Sequence, residues 1–427
     1  MKRSSVDGTI PEGWRMVRLG DVTKVETGGT PSRTKLSYWG GSVPWMASGE
    51  INQRRVMWTA EHVTQAGLDN SNAKKFPKGT VMLAMNGQGA TRGKVALLGI
   101  EAACNQSLAA ITGNCTDNLF LFQLLQSSYD HLRALTGDGR SGLNLGLIRS
   151  FTIILPPLSE QRAIAAVLDS IDDAIERTDA VIAATEQLRT SLLHELLTRG
   201  VSGWHTEWKN VPGIGTIPAD WEVVRLGDVA AVKGGVGFPL NRQGRGDGEY
   251  PFIKVSDMTL KGNETYIRTA NNYVDFKDVS DLGASVFAPG TTVFPKVGAA
   301  IATNKKRVLT VPTIIDNNMA GVTVAAVDRC DTRYLYQWFQ SIDLLDFANV
   351  SAVPSITGSQ LKRVSILLPP LPEQRVISGL LDGLDVTISE ENKERDGFQL
   401  LKESTADVLL TGRGRVGTVA EDAVGKG

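Results

Sequence analysis

The sequence predicts an α/β (α+β) fold in which two strand-rich domains and two long helices form a pseudo-twofold internal repeat. Three observations predict this fold. Motifs from the first half of the chain return in the second half, the middle of each half alternates short apolar runs with turn residues, and each half ends in a long apolar seam of helical spacing. A chain of 427 residues is too long for one core and sufficient for two domains.

The duplication is clearest in two motifs. Pro156-Pro157-Leu158-Ser159-Glu160-Gln161-Arg162 returns as residues 369–375, and Val17-Arg18-Leu19-Gly20-Asp21-Val22 returns as residues 224–229. Between these motifs the offset of the two copies shifts, and there Val81 aligns with Val293 and Asn105 with Asn317. Two similar but non-identical modules in one chain are what a protein needs to recognise two different things at once.

The middle segments, residues 22–150 and 229–365, predict short strands joined by turns. Residues 80–85 are an apolar run before Asn86-Gly87, and residues 291–294 are a similar run after Pro289-Gly290. Apolar residues at three-to-four spacing also predict helices over residues 119–135 and 332–347. The mixture indicates a strand-rich domain with a few helices in each module.

The last block of each module predicts one long helix of about 40 residues and about 60 Å. Ser159 is the predicted N-cap of the first helix, and Pro372 is a suitable first-turn residue of the second. Each seam needs a partner, and each helix is the obvious partner for the other, although the polar residues 390–397 weaken the second seam. The seams consist of Ile164, Leu168, Ile171, Ile175, Ile182, Leu188, Leu192 and Leu196, and of Ile377, Leu381, Leu384, Ile388, Phe398, Leu401, Val408 and Leu409.

Composition excludes several classes of protein. The net charge is −1, so bulk charge gives no support for nucleic-acid binding, and any such site must be a local patch. No apolar signal segment follows the first residues and no run of about 18 apolar residues occurs, so we expect a cytoplasmic protein without a membrane partner. The three cysteines are expected to be buried apolar residues, and the four histidines lack metal-ligand spacing. Catalytic signatures are absent, so we expect a non-enzyme without metal or cofactor.

The repeated motifs identify a family resemblance. Leu-Pro-Pro-Leu-x-Glu-Gln-Arg opening a long helix, Leu-Leu-Thr near the end of that helix, and Trp-x-x-Val-Arg-Leu-Gly-Asp-Val opening each module resemble the specificity subunits of type I restriction-modification systems. Thr27-Gly28-Gly29-Thr30-Pro31 and Cys104-Asn105-Gln106 also resemble recurring pieces of that family's recognition domains. The resemblance extends over nearly the whole chain, and the duplicated arrangement makes it specific.

The resemblance implies an architecture and a set of partners. In that family two target recognition domains each read one half of a split site on double-stranded DNA, and two long antiparallel helices form a coiled-coil spacer between them. It further implies two copies of an adenine-N6 methyltransferase subunit and a restriction and motor subunit as partners, with S-adenosylmethionine bound to the methyltransferase. Physics agrees, because one chain with two unequal readers suits an asymmetric gapped site, whereas a homodimer would require a palindrome.

The candidate DNA-contacting residues lie in polar loops that follow the predicted strands, because base edges and phosphates are contacted by amide, hydroxyl, basic and acidic side chains. In the first module these candidates are Ser48, Glu50, Asn52, Gln53, Arg54, Arg55, Asn86, Gln88, Thr91, Arg92 and Lys94. In the second they are Lys254, Ser256, Asp257, Lys296, Asn304, Lys305, Lys306 and Arg307. Candidate contacts to the methyltransferase are Glu160, Gln161, Arg162, Glu373, Gln374 and Arg375, although helix-start chemistry explains these six equally well. Trp14 and Trp221 are predicted core anchors.

The predicted domain organisation has five parts. Residues 1–155 form an N-terminal segment with recognition domain 1, residues 156–201 the central helix, residues 202–366 a linker with recognition domain 2, residues 367–416 the distal helix, and residues 417–427 a flexible tail. Two alternatives remain open from sequence. One is a coiled-coil scaffold that does not touch DNA, and the other is the specificity subunit of a fused nuclease-methyltransferase system.

Overall fold

The structure, a computed structural model, describes residues 10–87, 90–136, 142–349 and 353–416. The predicted tail, residues 417–427, and the candidate Gln88 lie outside these ranges. The chain forms two compact units, one from Met1–Ala180 with Asn392–Gly427 and one from Val181–Glu391. Each unit therefore contains one strand-rich module and parts of both long helices.

The described residues of the first module form eleven short strands and five short helices. Its strands are β1 (Arg15–Arg18), β2 (Thr23–Thr27), β3 (Trp39–Met46), β4 (Arg55–Val56), β5 (Glu61–Val63), β6 (Lys75–Phe76), β7 (Val81–Ala84), β8 (Val95–Leu98), β9 (Ala102–Cys104), β10 (Leu108–Gly113) and β11 (Thr152–Leu155). Its helices are α1 (Leu19–Val22), α2 (Gln65–Asp69), α3 (Asn118–Ser127), α4 (Tyr129–Ala134) and α5 (Leu145–Ser150). The helix predicted over residues 119–135 is thus two helices that meet at Ser128.

The strands of the first module form three sheets. A five-stranded sheet has the order β2-β10-β7-β8-β4, a four-stranded sheet has the order β5-β3-β9-β6, and β1 pairs with β11. Only the β4–β8 and β3–β9 pairs are parallel among these described ladders. Buried apolar side chains such as Met82, Leu98 and Ala110 fill one core cluster, while Val81, Leu83 and Phe120 belong to another.

The long helices are α6 (Leu158–Arg199) and α11 (Leu371–Leu409). With 42 and 39 residues, they confirm the predicted lengths. Residues 158–180 of α6 belong to the first unit and residues 181–199 to the second, whereas α11 contributes its first part to the second unit and its last part to the first. The predicted N-cap is wrong by two positions, because α6 begins at Leu158, so Pro157 precedes the helix and Ser159 lies within its first turn.

The second module repeats the first. Its strands are β12 (Trp208–Val211), β13 (Gly215–Pro218), β14 (Glu222–Arg225), β15 (Ala230–Gly234), β16 (Tyr250–Ile253), β17 (Tyr266–Ile267), β18 (Tyr273–Val274), β19 (Thr292–Pro295), β20 (Arg307–Leu309), β21 (Ile314–Ile315), β22 (Met319–Val324) and β23 (Ser365–Leu368). Its short helices are α7 (Leu226–Val229), α8 (Phe276–Leu282), α9 (Thr332–Ser341) and α10 (Gly358–Lys362). After α9 the predicted helix continues only as a 3-10 turn at Leu344–Phe347.

The five-stranded sheet of the second module matches that of the first strand by strand, whereas its smaller sheet has three described strands where the first module has four. Its five-stranded sheet is β15-β22-β19-β20-β17, its three-stranded sheet is β18-β16-β21, and β14 pairs with β23. The β17–β20 and β16–β21 pairs are again parallel. The hairpin of β12 and β13 comes before this repeated part.

The register of the strands corrects the sequence alignment of the two modules by one residue. The backbone N–H of Asn105 donates to Met46, and that of Asp316 donates to Ile253, which is the counterpart of Met46 in the second module. Asn105 therefore corresponds to Asp316 and not to Asn317. Both side chains accept a hydrogen bond from the backbone N–H two residues later, as tight polar turns do.

Both apolar seams enter the module cores. In the first unit Ile164 and Leu168 of α6 share a core with Ala406 and Leu409 of α11. In the second unit Leu193 and Leu196 of α6 share a core with Ile377 and Leu381 of α11. Within each unit the beginning of one helix therefore packs with the end of the other, which is an antiparallel arrangement. Three predicted seam residues, Leu188, Leu401 and Val408, are exposed instead.

Two smaller predictions concern cysteines and membrane spans. Cys104 and Cys330 are buried, as predicted, and burial raises the pKa of each thiol to about 12, whereas Cys115 is exposed. Among the described helices we find none that combines the length and the apolar character that crossing a membrane requires.

Candidate nucleic-acid interface

Several loops of the first module meet at one edge of its sheets. Strands β2 and β7 both run antiparallel to β10, so Thr27 and Ala84 lie where β10 begins. The parallel pair β3 and β9 ends at the same place, since the N–H of Asn105 donates to Met46 and that of Gly29 to Cys104. Two segments predicted to read DNA are thereby brought together. The loops at this edge are called loop cluster 1 and comprise residues 28–35, 47–54, 85–87, 90–94 and 105–107.

A direct contact joins those two segments. The Nζ of Lys94 donates a hydrogen bond of 2.7 Å to Oδ1 of Asn52. Asn52 and Asn86 are exposed, while Ser48, Gln53, Thr91, Arg92 and Lys94 are half-buried. The arrangement places amide, hydroxyl and ammonium groups on one surface, which is the mixture that base-edge and phosphate contacts require.

Glu50 has a structural role within the same loop. Its carboxylate accepts hydrogen bonds from the N–H groups of Ala47 at 2.7 Å and Ala60 at 2.8 Å. It therefore holds the 3-10 turn at Ser48–Asn52 against the following segment. A carboxylate used in this way is a poor candidate for contact with a base.

Arg54 and Arg55, both predicted as candidate DNA contacts, pair with carboxylates of the long helix α6. The guanidinium of Arg54, which is 11% exposed, pairs with Asp172 at 3.3 Å and with Asp173 and Glu176 at 3.0 Å, and also contacts Asp169. Arg55 pairs with Asp169 at 2.6 Å. These four carboxylates lie within about two turns on one face of α6, at three- and four-residue spacings, which explains how one guanidinium can reach them all. The two arginines fix the loop to the helix.

The second module presents the equivalent edge. Gly234 and Pro295 lie beside the start of β22, and the N–H groups of Val236 and Asp316 donate to Ile315 and Ile253. We call the loops here, residues 235–249, 254–265, 296–306 and 316–318, loop cluster 2. Lys254, Ser256, Lys296, Asn304 and Lys305 keep exposed or half-buried side chains in it.

Three candidates of the second module are used inside the fold. Asp257 is fully buried and accepts hydrogen bonds from the N–H groups of Lys254 at 2.7 Å and Asn271 at 2.9 Å, as its counterpart Glu50 does in the first module. Lys306 is 1% exposed, and Arg307 donates to the carbonyls of Lys306 and Met258. Their interpretation as surface groups is wrong for Asp257 and Lys306, because internal hydrogen bonds satisfy both side chains.

The start of each long helix uses its Glu-Gln-Arg motif in the same way. Glu160, 3% exposed, accepts a hydrogen bond of 3.0 Å from the indole of Trp14, and Gln161 donates to the carbonyl of Pro156 and accepts from the N–H of Asp117. Arg415 also pairs with Glu160 at 2.8 Å. Only Arg162 of the motif is exposed.

The second copy of the motif confirms this pattern. Glu373 accepts from the indole of Trp221 at 2.9 Å, and Gln374 donates to Pro369 and Arg329 and accepts from Asp331. Arg375 is exposed. The predicted partner contacts of both glutamates and both glutamines are thus replaced by internal bonds, whereas Trp14 and Trp221 are confirmed as buried anchors.

His205 adds a further contact to Glu373. One ring nitrogen lies 2.7 Å from the Glu373 carboxylate and the other 3.3 Å from Asp220. The backbone N–H of Val201 also donates to Glu373 at 3.0 Å. Since the carboxylate and both ring nitrogens already have hydrogen-bonding neighbours, this group of three side chains is a hydrogen-bonded cluster that anchors the segment after α6.

Sequence reasoning missed a buried polar network that both units contain. In the first unit Asp172 accepts from Gln123 at 2.8 Å and from Lys402 at 2.6 Å. In the second unit Asp385 pairs with Arg189, which donates to Gln337 at 3.0 Å. The alignment that superimposes the two Glu-Gln-Arg motifs also aligns Asp172 with Asp385 and Arg189 with Lys402. That shared alignment is the signal that could have revealed the network.

The comparisons with known proteins agree with this arrangement. The family model described as the type I restriction modification DNA specificity domain matches residues 11–186 and again residues 218–397. The type I restriction enzyme MjaIX specificity subunit of Methanocaldococcus jannaschii is 21% identical over 431 residues, with 96% of this chain and 95% of that protein covered. The MjaVIII specificity subunit of the same organism is 25% identical over 426 residues, with 95% and 94% covered.

A solved structure shows the same fold. The S subunit of a type I restriction-modification system from M. genitalium matches with a TM-score of 0.62 at 14% identity, covering 95% of this chain and 98% of that one. The matched family domains extend over most of the chain and coincide with the two repeated modules. This chain therefore belongs to the type I restriction modification DNA specificity family and carries two copies of the domain that defines it.

Proposed function

We propose that this chain is the DNA sequence-specificity subunit of a type I restriction-modification complex. Each module reads one half of a bipartite, gapped site on double-stranded DNA, with loop cluster 1 at one half and loop cluster 2 at the other. The chain contributes recognition and performs no chemistry itself. The observation that carries the proposal is the repeated edge at which both modules gather their polar loops.

The two clusters are chemically suited to different half-sites. Cluster 1 presents Asn52, Asn86 and Lys94, whereas cluster 2 presents Lys254, Lys296, Asn304 and Lys305. Amides can read adenine and ammonium groups can read guanine or contact phosphate, so unequal sets predict unequal half-sites. One chain with two different readers suits an asymmetric site.

The same proposal assigns partners. Two copies of a methyltransferase subunit and a restriction and motor subunit would assemble on this chain. Arg162 and Arg375 are the exposed members of the repeated motif at the two helix starts, so each offers one equivalent contact per methyltransferase copy. The scaffold alternative does not require two equivalent edges of polar loops, and the relatives compared above are named for type I enzymes.

The test is base-resolution mapping of N6-methyladenine in cells that express the chain with its methyltransferase. The variant Asn52→Ala with Lys94→Ala removes the bonded pair from cluster 1. Lys78→Ala is the matched control, because Lys78 is an exposed cation that precedes β7 at the opposite end of that strand. Loss of a base contact typically costs about 1–3 kcal/mol, which is about 5- to 150-fold in discrimination.

The expected result is specific to one half-site. The double variant should relax the first half-site at one or more positions while the second half-site and the gap stay unchanged, and Lys78→Ala should leave the whole motif unchanged. A double variant that keeps the complete wild-type motif would remove the role assigned to cluster 1. Equal relaxation of both half-sites would contradict the division of labour between the modules.

A further inference from the structure

Lys306 is a buried cation in the second module, at a position where the first module has a valine. The strand register makes Met82 the counterpart of Val293, so the sequence alignment of Val81 with Val293 is wrong by one residue. Met82 pairs with Ala96 and Val293 pairs with Arg307, so Lys306, one residue before Arg307, corresponds to Val95. Val95 is buried and apolar, and Lys306 is 1% exposed. The same place in the same fold thus tolerates an apolar residue, so the core does not require a lysine there.

The ammonium group of Lys306 bonds to neutral acceptors. Its Nζ donates to the carbonyl of Ile342 at 2.6 Å and to Oδ1 of Asn304 at 2.7 Å. Burial lowers the pKa of Lys306 to about 8, while the nearby carboxylate of Asp343 raises it by less. A buried charge without a bonded carboxylate is a cost to stability. Some other requirement must explain its presence.

Asn304 carries a second cost. Its φ of 50° lies in the left-handed region, and it is the one residue other than glycine with a positive φ among the described residues. A non-glycine residue in that region costs of order 1 kcal/mol or more and persists only when its surroundings fix it. Lys306 and the N–H of Leu344, which donates to Asn304 Oδ1 at 3.0 Å, are those surroundings.

These two residues end a loop of cluster 2. The loop is a 3-10 turn, Gly298–Thr303, followed by Asn304 and Lys305. At its start the N–H of Gly298 donates to Pro354 at 2.8 Å, and the N–H of Ile356 donates to Lys296 at 2.9 Å. The loop is therefore fixed at both ends, and Lys306 provides the fixed end nearest to Asn304 and Lys305.

We propose that Lys306 is a positioning residue for recognition of the second half-site, because its buried ammonium holds the loop of residues 298–305 in the conformation that reads DNA. This inference rests on the proposed function. Lys306 itself does not touch DNA; it acts through Asn304 and the turn. A preorganised loop loses less entropy on binding, which sharpens discrimination between sites.

The test compares two variants of the full chain, each expressed with its methyltransferase. Lys306→Met keeps the length and apolar stem of the side chain and removes the two hydrogen bonds. Val308→Ala is the control for the loss of buried apolar contact nearby, because Val308 lies two residues after Lys306, in β20, and is 9% exposed. Methylation is mapped at base resolution, and the melting temperature of each purified complex is measured.

The expected result separates positioning from stability. Lys306→Met should lower discrimination within the second half-site at least about 10-fold, which is about 1.4 kcal/mol, with the first half-site intact and a melting temperature no lower than that of Val308→Ala. Val308→Ala should keep the wild-type motif.

Three outcomes would overturn the inference. Wild-type discrimination in Lys306→Met would remove the positioning role, and a joint loss of both half-sites with a melting temperature below that of Val308→Ala would show a purely structural role. A wild-type chain without any chain-dependent motif would overturn the proposed function and this inference together, so the two failures are distinguishable.

Discussion

The two modules attach to the long helices through the same acidic positions but through different cations. In the first module Arg54 and Arg55, at the end of a loop, pair with Asp169 and its neighbours on α6. In the second module the equivalent strand position has Tyr266, and Asp382, the counterpart of Asp169 on α11, pairs with Arg333 of α9 at 3.4 Å. The helix provides the constant element, while each module supplies its own contact.

The contrast between these contacts shows how a duplicated protein can diverge. Sheet order, the Trp-Glu anchors and the acid-amide networks are shared, because they fix the frame. The loops differ in sequence and length, and the cations that contact the long helices are different residues in the two modules. A frame with exchangeable loops can change what one module reads without disturbing the other.

The largest expected effect comes from changing the length of the long helix α6. Insertion of four residues near Leu196 lengthens α6 by about one turn, or about 6 Å, and keeps the apolar face in phase. Because DNA advances about 34 Å per turn of about ten base pairs, the gap between half-sites should change while both half-sites are retained. Methylation mapping measures this directly, and an unchanged gap would contradict the spacer role of the helices.

The next prediction compares the ion pairs of Arg54 with α6 and of Arg333 with α11. Arg54→Ala removes the guanidinium that Asp169, Asp172 and Asp173 share, although Arg55 still pairs with Asp169 and Lys402 with Asp172. Because the lost guanidinium is 11% exposed and its bonds are charge-assisted, the free energy of unfolding should fall by about 2 kcal/mol. Arg333→Ala removes a pair in which the arginine is 57% exposed, so the loss should be below about 1 kcal/mol. Urea unfolding measures the loss of free energy of unfolding in both variants. Equal losses in Arg54→Ala and Arg333→Ala would contradict this prediction.

A pH dependence should distinguish the modules at Lys306. Its pKa is about 8 in the folded chain against 10.5 ordinarily, so between these values the unfolded chain binds more protons and stability rises with pH. Between pH 7.5 and 9.5 the free energy of unfolding of the wild type should rise by about 2 kcal/mol relative to that of Lys306→Met. The slope above pH 8 is about 1.4 kcal/mol per pH unit. Unfolding curves at both pH values measure the gain. If the difference in free energy of unfolding between wild type and Lys306→Met is the same at both pH values, the ammonium group of Lys306 is not buried.

The smallest contrast concerns the two helix starts. Glu373→Gln places an amide N–H against one of the three donors Trp221, His205 and Val201, and should cost about 2 kcal/mol. Glu160→Gln should cost about 1 kcal/mol, since one of its partners, Arg415, is 51% exposed and can turn to solvent. Thermal unfolding ranks the two variants. A larger loss for Glu160→Gln would reverse the comparison.

Periodicity and repetition predicted the frame well. The two long helices, the strand-rich middles and the buried Trp14 and Trp221 follow from apolar spacing and from motifs that occur twice. Helix and strand periodicities depend on neighbours along the chain, which the sequence contains. The alignment of Asn105 with Asn317 is wrong by one residue because the sequence of an apolar run does not show at which residue a loop changes length.

The candidate site was harder to predict. The sequence predicts Arg54, Asp257 and Lys306 as DNA contacts because they lie in polar loops and their side-chain types suit base edges and phosphates. Each is instead held by partners that are distant in sequence or that form only once a turn has closed, such as Asp173 for Arg54 and Asn271 for Asp257. The alignment of one long helix with the other, which relates charged residues of the two copies, could have identified one buried network in advance.

The proposed function is tested most sharply by base-resolution mapping of N6-methyladenine in DNA from cells that express this chain with its methyltransferase, compared with cells that lack only this chain. We predict a gapped, asymmetric motif that disappears when the chain is absent. An active methyltransferase whose motif does not depend on the chain would contradict the proposed function.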